Sequence, residues 1–183
     1  MSERSLTEAL LGLNYPARAA FATAAAERCV ARAENEDSDY HDQAQPDALT
    51  MACLSAISDI WSGLAVDPSA FSRVSHAVAS FYLTPLWRSN YVDEPSKASE
   101  AGGQVHVQSA LYAALTFLHG SADLAARAAL NANQFGSGER ERQPRDLAFL
   151  QTRGDALLLD PTGSTGDERA AARNIIDDLR AGT

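Results

Sequence analysis

Histidine is the first side chain to consider for catalysis or metal binding, because its imidazole titrates near neutral pH and ligates transition metals. The chain has four histidines: His41, His76, His106 and His119. None of them stands in an HExxH or ExxH pattern, so the usual helical metal site lacks its second ligand three or four residues away. His106 borders the apolar face of a predicted helix, where packing is favoured over catalysis. The histidines therefore predict no metal site, and His106 is kept as a candidate partner contact.

Patterns for nucleophilic catalysis and phosphate binding are equally weak. Cys29 and Cys53 lack the flanking residues of known thiol enzymes, and no GxSxG motif is present. The segments GSGERE (136–141) and DPTGSTGDE (160–168) lack the lysine of a Walker loop, so their glycines are predicted to form linkers and turns. The sequence predicts no catalytic residue and no cofactor, although its 24 acidic residues leave a carboxylate pair open.

Charged and aromatic residues on two helices are the remaining candidates. Glu27 and Arg28 lie at the margins of an apolar helix face, which favours salt bridges to other helices over contact with a substrate or partner. The stretch MACLSAISDIWSGL (51–64) carries a polar stripe that is either a solvent window or a close helix contact. Within that stripe, Asp59 is the one residue we consider for function, with Trp61 two residues later. The predicted partner-binding residues are thus Glu27, Arg28, Asp59, Trp61 and His106.

The composition of the 183 residues favours an all-α protein. Hydrophobic residues make up 45% of the chain and alanine is heavily used, which favours helices and their close approach. The formal charge of −9 disfavours nucleic acid and is compatible with a basic protein partner, although it also serves solubility. The N-terminus lacks the apolar core of a signal peptide, and no apolar run reaches the ~18 residues that a bilayer requires. We therefore expect a soluble, cytoplasmic protein without membrane contact.

Apolar periodicity and capping residues predict a single-domain bundle of about six to seven helices with antiparallel hairpins. The predicted helices begin at a capping box at Ser5, at Tyr15 (ending near Ala33), at Leu49, at Ser69, at Val107, at a cap at Ser121 (ending near Phe135) and at a second capping box at Thr165. In the fourth of these, Phe71, Val74, Val78, Phe81 and Tyr82 share the predicted buried face. Residues 34–47, 84–105 and 136–146 are predicted as loops or linkers. The core is expected within residues 5–135, with a more polar extension over 136–183 that ends in a helix.

Two segments resemble a known family. FATAAAERCV (21–30), followed by DALTMACLSAISDIWSGL (47–64), resembles the bacterial DUF416 family of YjaG-like proteins, and the hairpin ALYAALTFLHGSADLAARAALNANQF (110–135) is similar to a later helix pair of that family. The resemblance covers roughly residues 15–135, and the matching positions include Phe21, Glu27, Arg28 and Trp61. The chain differs from the family in its 84–105 segment and polar C-terminal region. The resemblance implies an all-α bundle and assigns no activity or catalytic residue.

Three functions remain open on this basis. The first is a non-enzymatic protein-binding domain, in its most concrete form an immunity-type protein that neutralises a basic bacterial toxin. The second is an enzyme or small-ligand-binding protein with a pocket between helices, near His106, Glu27 and Trp61. The third is a structural subunit that forms a homodimer through its apolar helix faces. The sequence favours the protein-binding domain, and a homodimer is compatible with it.

Overall fold

Eight α-helices, and no strand, make up the part of the chain that the structure describes. This computed structural model describes residues 3–38, 48–65, 67–83, 105–135, 137–158 and 163–182. The helices are α1 (Glu3–Leu11), α2 (Tyr15–Ser38), α3 (Ala48–Gly63), α4 (Ala70–Leu83), α5 (Val105–His119), α6 (Ala122–Ala132), α7 (Ser137–Arg153) and α8 (Gly166–Ala181), with 3₁₀ turns at Asn133–Phe135 and Gly154–Ala156. The predicted all-α helical bundle is therefore confirmed.

Helix α2 lies at the centre of the bundle. Its residues from Ala19 to Ala26 are all buried, and six of these eight are alanines. Small side chains allow neighbouring helices to approach closely, and α2 accordingly packs against α3, α5, α6, α7 and α8. Phe21 is fully buried beside these alanines, so the helix is covered on more than one side.

Helices α5 and α6 form the predicted antiparallel hairpin. Gly120 connects them with a φ of 68°, a left-handed conformation that favours glycine. Ser121 then caps α6 by accepting a hydrogen bond from the backbone of Leu124, as predicted. Across the hairpin, Ser109 donates to the carbonyl of Ala128 at 2.8 Å. The pairing of early α5 with late α6 confirms that the two helices run in opposite directions.

Arg18 joins the ends of two helices near this turn. Its Nε lies 3.0 Å from the carbonyls of both Leu10 and Leu13, and a terminal nitrogen lies 2.9 Å from the carbonyl of Gly120. The last carbonyls of a helix have no partner within that helix. Arg18 therefore satisfies the C-terminal ends of α1 and α5 and ties both to α2.

Capping boxes were predicted at two helix starts, at Ser5 and at Thr165. At α8 both hydrogen bonds of the box between Thr165 and Glu168 are present, which confirms the prediction. The prediction at Ser5 is wrong, because α1 begins at Glu3 and Ser5 lies within its first turns. The helix that was expected to end near Ala33 continues to Ser38.

Helix α7 occupies a segment that was predicted as a linker. Its buried positions include the polar residues Glu139, Gln143 and Asp146 as well as Leu147 and Leu150. These positions have helical spacing, but the first three are polar, so hydrophobic periodicity does not reveal the helix. Pro144, which ordinarily interrupts a helix, lies on the exposed side of α7. The helix is held by buried polar contacts with other parts of the chain.

The buried face of α4 is confirmed in part. Val74, Val78 and Phe81 are buried, but Phe71 is 50% exposed. Phe71 lies in the first turn of α4 with its ring centroid 6.1 Å from that of Phe117, so one edge packs and the other faces solvent. The side chain of Tyr82 and the 84–104 segment lie outside the described residues, as do His41 and residues 39–47.

A single hydrophobic cluster extends through the helices at both ends of the chain. It includes Leu6 and Leu10 of α1 together with Leu147, Leu150 of α7 and Leu179 of α8. The core that was expected within residues 5–135 therefore extends to Leu179. The cause is that α7 and α8 bury leucine and isoleucine side chains against the same central helices.

Candidate functional site

Arg28 of α2 forms a buried ion-pair cluster with two carboxylates of α7. Its Nε donates to Oε2 of Glu139 at 2.8 Å, and one terminal nitrogen donates to Oε1 of Glu139 at 2.7 Å and to Oδ2 of Asp146 at 2.6 Å. The side chains of Glu139 and Asp146 are only 1% and 2% exposed. With both carboxylates ionised, these three residues, which we call the Arg28 cluster, carry a formal charge of −1.

Burial sets the protonation behaviour of the Arg28 cluster. It raises the pKa of Asp146 above its ordinary value, and Arg28 offsets this only in part. Burial acts to lower the pKa of Arg28, but hydrogen bonds and attraction from Glu139 and Asp146 outweigh it and leave that pKa raised. Arg28 is therefore a structural cation, and burial disfavours the charged form of Asp146.

Two amide side chains extend the Arg28 cluster towards the end of α6. Gln143 donates to the carbonyl of Ala129 at 2.8 Å and approaches Oε1 of Glu139 at 3.4 Å. Asn133 in turn donates to the side-chain oxygen of Gln143 at 3.2 Å. Polar groups from α2, α6 and α7 are thereby joined in one network.

Glu27, although adjacent to Arg28, belongs to a different set of contacts. Its carboxylate accepts a hydrogen bond from Nε1 of Trp61 at 3.1 Å. The same carboxylate is paired with Arg180 of α8, at distances of 2.6 and 3.0 Å for the two guanidinium nitrogens. Glu27 thus links α2, α3 and α8.

Asp59 lies in a third group, at the connection between α3 and α4. Its carboxylate accepts a hydrogen bond from Nε of Arg73 at 2.7 Å, and Arg73 also pairs with Asp67 at 2.7 Å. Hydrogen bonds from Ser69, followed by those from Arg73, lower the pKa of Asp67 to about 2. This exposed group orients the connection between the two helices.

His106 lies apart from all of these groups. It is buried in the first turn of α5, with Nε2 3.5 Å from the hydroxyl of Thr50 in α3. Of the five predicted partner-binding residues, only Glu27 and Trp61 are brought into direct contact. The pocket that was hypothesised between Glu27, Trp61 and His106 is occupied, on the Glu27 side, by a hydrogen-bonded ion pair with Arg180.

A groove of about 380 Å³ opens elsewhere, where α6 ends and α7 begins. It is lined by Leu130, Asn133, Gln134 and Arg140. A narrower part continues inwards along Leu6, Gln143 and Pro144. The groove was not predicted, because residues 136–146 were interpreted as a loop or linker and not as the start of a helix. The available signal was the polar pair Asn133–Gln134 a few residues before Arg140.

Two further findings concern the described residues only. Within those ranges, no group of three or more histidine, cysteine or acidic side chains is placed to hold a metal ion. None of the helices in the same ranges is both long and apolar enough to traverse a bilayer.

Comparison with known proteins identifies no relative of this chain. No protein-family model matches it, and neither the curated proteins nor the solved structures include a significant match. The resemblance to the DUF416 family accordingly stays a prediction.

Proposed function

We propose that this protein is a non-enzymatic, cytoplasmic protein-binding domain whose partner presents a basic surface, and in its most specific form an immunity-type protein that neutralises a toxin. The observation that carries the proposal is the distribution of acidic charge. Between residues 34 and 47 the chain has six acidic residues and no lysine or arginine: Glu34, Glu36, Asp37, Asp39, Asp42 and Asp47. This stretch, which we call the acidic segment, contributes most of the formal charge of −9.

Several acidic residues of the described helices and their connections are compensated by arginines. Glu27, Asp59 and Asp67 each form an ion pair with an arginine, and Glu139 and Asp146 share Arg28. In the sequence, six of the nine excess negative charges therefore lie in the acidic segment. A concentrated charge of one sign accelerates encounter with an oppositely charged protein and disfavours nucleic acid.

Three of the predicted partner-binding residues are engaged within the chain itself. Glu27, Arg28 and Asp59 are each engaged by partners within the chain, so their charges serve to hold helices together. A protein-binding role needs no reactive group, only a stable bundle that carries the charged segment. A homodimer is compatible with this role, and light scattering measures whether one forms.

The test uses the native host and the genes beside this one. The product of a neighbouring toxin gene, or a protein captured with the full chain, is purified, and its association is measured at several salt concentrations. Replacing all six acids of the acidic segment by their amides is expected to weaken association at low salt by about tenfold or more and to flatten the salt dependence.

The matched control neutralises six exposed acids elsewhere on the bundle. These are Glu8, Asp123, Glu141, Asp155, Asp167 and Asp177. The control is expected to weaken association much less, because it removes the same charge from other places. If both variants weakened association equally, the total charge of the protein would matter and the position of the acidic segment would not. A protein that associates with nothing in its host, and has no neighbouring toxin gene, would overturn it.

A further inference from the structure

Helices α7 and α8 pack on the bundle differently from the helices before them. Helices α5 and α6 come close to α2 at many positions, and α6 does so with fully buried alanines such as Ala125 and Ala129. Both α7 and α8 come close to α2 at far fewer positions, and to each other at few as well. Helices α1 to α6 therefore form a closely packed body. Residues 137–158 and 163–182, which we call the α7–α8 arm, are attached to it more sparsely.

Charged groups make much of the contact between the α7–α8 arm and the body. Glu139 and Asp146 of the arm are buried around Arg28, and Arg180 of the arm pairs with Glu27, the neighbouring residue, at 2.6 Å. Removing charges from water costs free energy that offsets much of their attraction, whereas apolar burial carries no such cost. These charges are hydrated again when the arm leaves. The interface therefore stabilises the closed position less than an apolar interface of the same size would.

The α7–α8 arm is connected within itself. Arg153 of α7 pairs with Asp178 of α8 at 3.1 Å, and the turn at Gly154–Ala156 packs against both helices. The attachment of the arm to the body includes a backbone hydrogen bond from Leu158 to the carbonyl of Leu64 at 2.9 Å. The arm can therefore separate in one piece without breaking the hydrogen bonds inside the first six helices.

We propose that the α7–α8 arm opens and recloses as a unit while α1 to α6 stay folded. A part of a structure with few contacts to the rest opens at a lower free energy than global unfolding requires. In the closed position the arm binds Arg28 and Glu27, two of the predicted partner-binding residues. Opening therefore gives another molecule access to charges of the central helix that the closed chain uses itself. This motion does not depend on the acidic segment.

The test is native-state hydrogen exchange of the full, isotope-labelled chain, measured by NMR at several low urea concentrations. Amides of α7 and α8 are expected to share one opening constant, at least about tenfold larger than that of the slowest amides of α5 and α6. Their opening should also depend less steeply on urea, because it exposes less surface than global unfolding does.

A variant in the body distinguishes partial from global opening. Val107, in the first turn of α5, is 2% exposed, and α5 packs against α2, α3, α4 and α6. Val107→Ala is expected to accelerate exchange in α5 and α6 by about tenfold through lost apolar burial, and to leave exchange in α7 and α8 unchanged.

A variant at the interface tests what holds the arm closed. Arg28→Met is expected to accelerate exchange in α7 and α8 by about a hundredfold. Arg73→Met, whose partners Asp59 and Asp67 lie outside the arm, should leave that exchange unchanged. The proposal is overturned if Val107→Ala accelerates exchange in α7 and α8 as much as in α5, since the chain then opens only as a whole. It is also overturned if α7 and α8 have different opening constants or if Arg28→Met leaves them unchanged.

Discussion

Arg28 and Glu139 are 111 residues apart in the chain, yet they form an ion pair with two hydrogen bonds of 2.8 and 2.7 Å. Glu139 is 1% exposed and the Arg28 side chain 13%. The pair joins the central helix to a helix that local sequence does not predict. Charged groups this buried are stable only when paired, so each depends on the other.

Replacing Arg28 by methionine tests this dependence. The substitution keeps an unbranched apolar stem but leaves two buried carboxylates without their cation, so the free energy of unfolding is expected to fall by about 3–5 kcal/mol. Urea denaturation measures the change. Arg73→Met, which removes an exposed arginine with two carboxylate partners, is the control and is expected to cost much less. Equal losses in the two variants would contradict the structural role of the Arg28 cluster.

Asp146 and Asp67 are expected to have opposite effects on stability as pH changes. Because folding raises the pKa of Asp146, its contribution is fully present below the ordinary value of 3.8 and is lost as pH rises through the raised pKa. Folding lowers the pKa of Asp67 to about 2, so its contribution is present above 3.8 and is lost as pH falls towards 2.

Urea denaturation across this pH range, compared with Asp146→Asn and Asp67→Asn, measures both effects. The difference in unfolding free energy between the wild type and Asp146→Asn should decrease with rising pH, and that for Asp67→Asn should increase. The charged groups facing Asp146 are Arg28, Glu139 and Arg142, and all three stay in place in the variant. If both differences changed in the same direction with rising pH, the assignment would be refuted.

Glu27 is expected to contribute more to the free energy of unfolding than Arg180, although the two side chains form an ion pair. Glu27→Ala removes the acceptor for Nε1 of Trp61, a residue that is only 6% exposed, and should cost about 1–3 kcal/mol of unfolding free energy. Arg180→Ala leaves the Glu27–Trp61 bond intact and removes a half-exposed cation, so it should cost about 0–1 kcal/mol. Thermal and urea unfolding of the two variants shows which has the lower free energy of unfolding. A larger decrease for Arg180→Ala would contradict the prediction and show that packing of α8 contributes more than the Glu27–Trp61 hydrogen bond.

Gly63 and Gly166 form a matched pair for close packing. A Cβ at Gly63 would lie 2.7 Å from Cζ of Phe117 and 2.8 Å from Cβ of Ala70, whereas nothing lies within 4 Å of one at Gly166. Gly63→Ala is therefore expected to lower the free energy of unfolding by about 1–3 kcal/mol through overpacking. Gly166→Ala should leave it equal or slightly raised, since alanine is the better helix former. A neutral Gly63→Ala would mean that α3, α4 and α5 can separate slightly without loss.

The predictions from sequence succeeded where the signal is local. The cap at Ser121 and the box between Thr165 and Glu168 depend on residues within one helical turn, and both are present. The apolar faces of α2, α3 and α5 repeat with helical spacing and were recognised from that spacing alone. Phe71 was assigned to the wrong environment because its position in the first turn of α4, beside Phe117, depends on how the helices meet.

The site residues show the same division. Sequence placed Glu27 and Arg28 at the edge of an apolar face and favoured salt bridges, but it could not name Arg180, Glu139 or Asp146 as their partners. Those partners lie more than a hundred residues away, and no local rule connects them. The groove beside Asn133 and Arg140 was missed for a related reason, since it exists only where α6, the 3₁₀ turn and α7 meet.

By itself, then, the sequence determined that this chain is all-α, where most of its helices lie and where its acidic charge is concentrated. Helix formation, capping and net charge depend on neighbours along the chain, so they can be read without a structure. The tertiary structure decided that the polar segment from Ser137 to Arg153 is a helix. It also decided which carboxylates are buried with Arg28 and where a groove lies between helices. Those outcomes depend on the desolvation of charges and the packing of helices distant in sequence, which only the folded chain brings together.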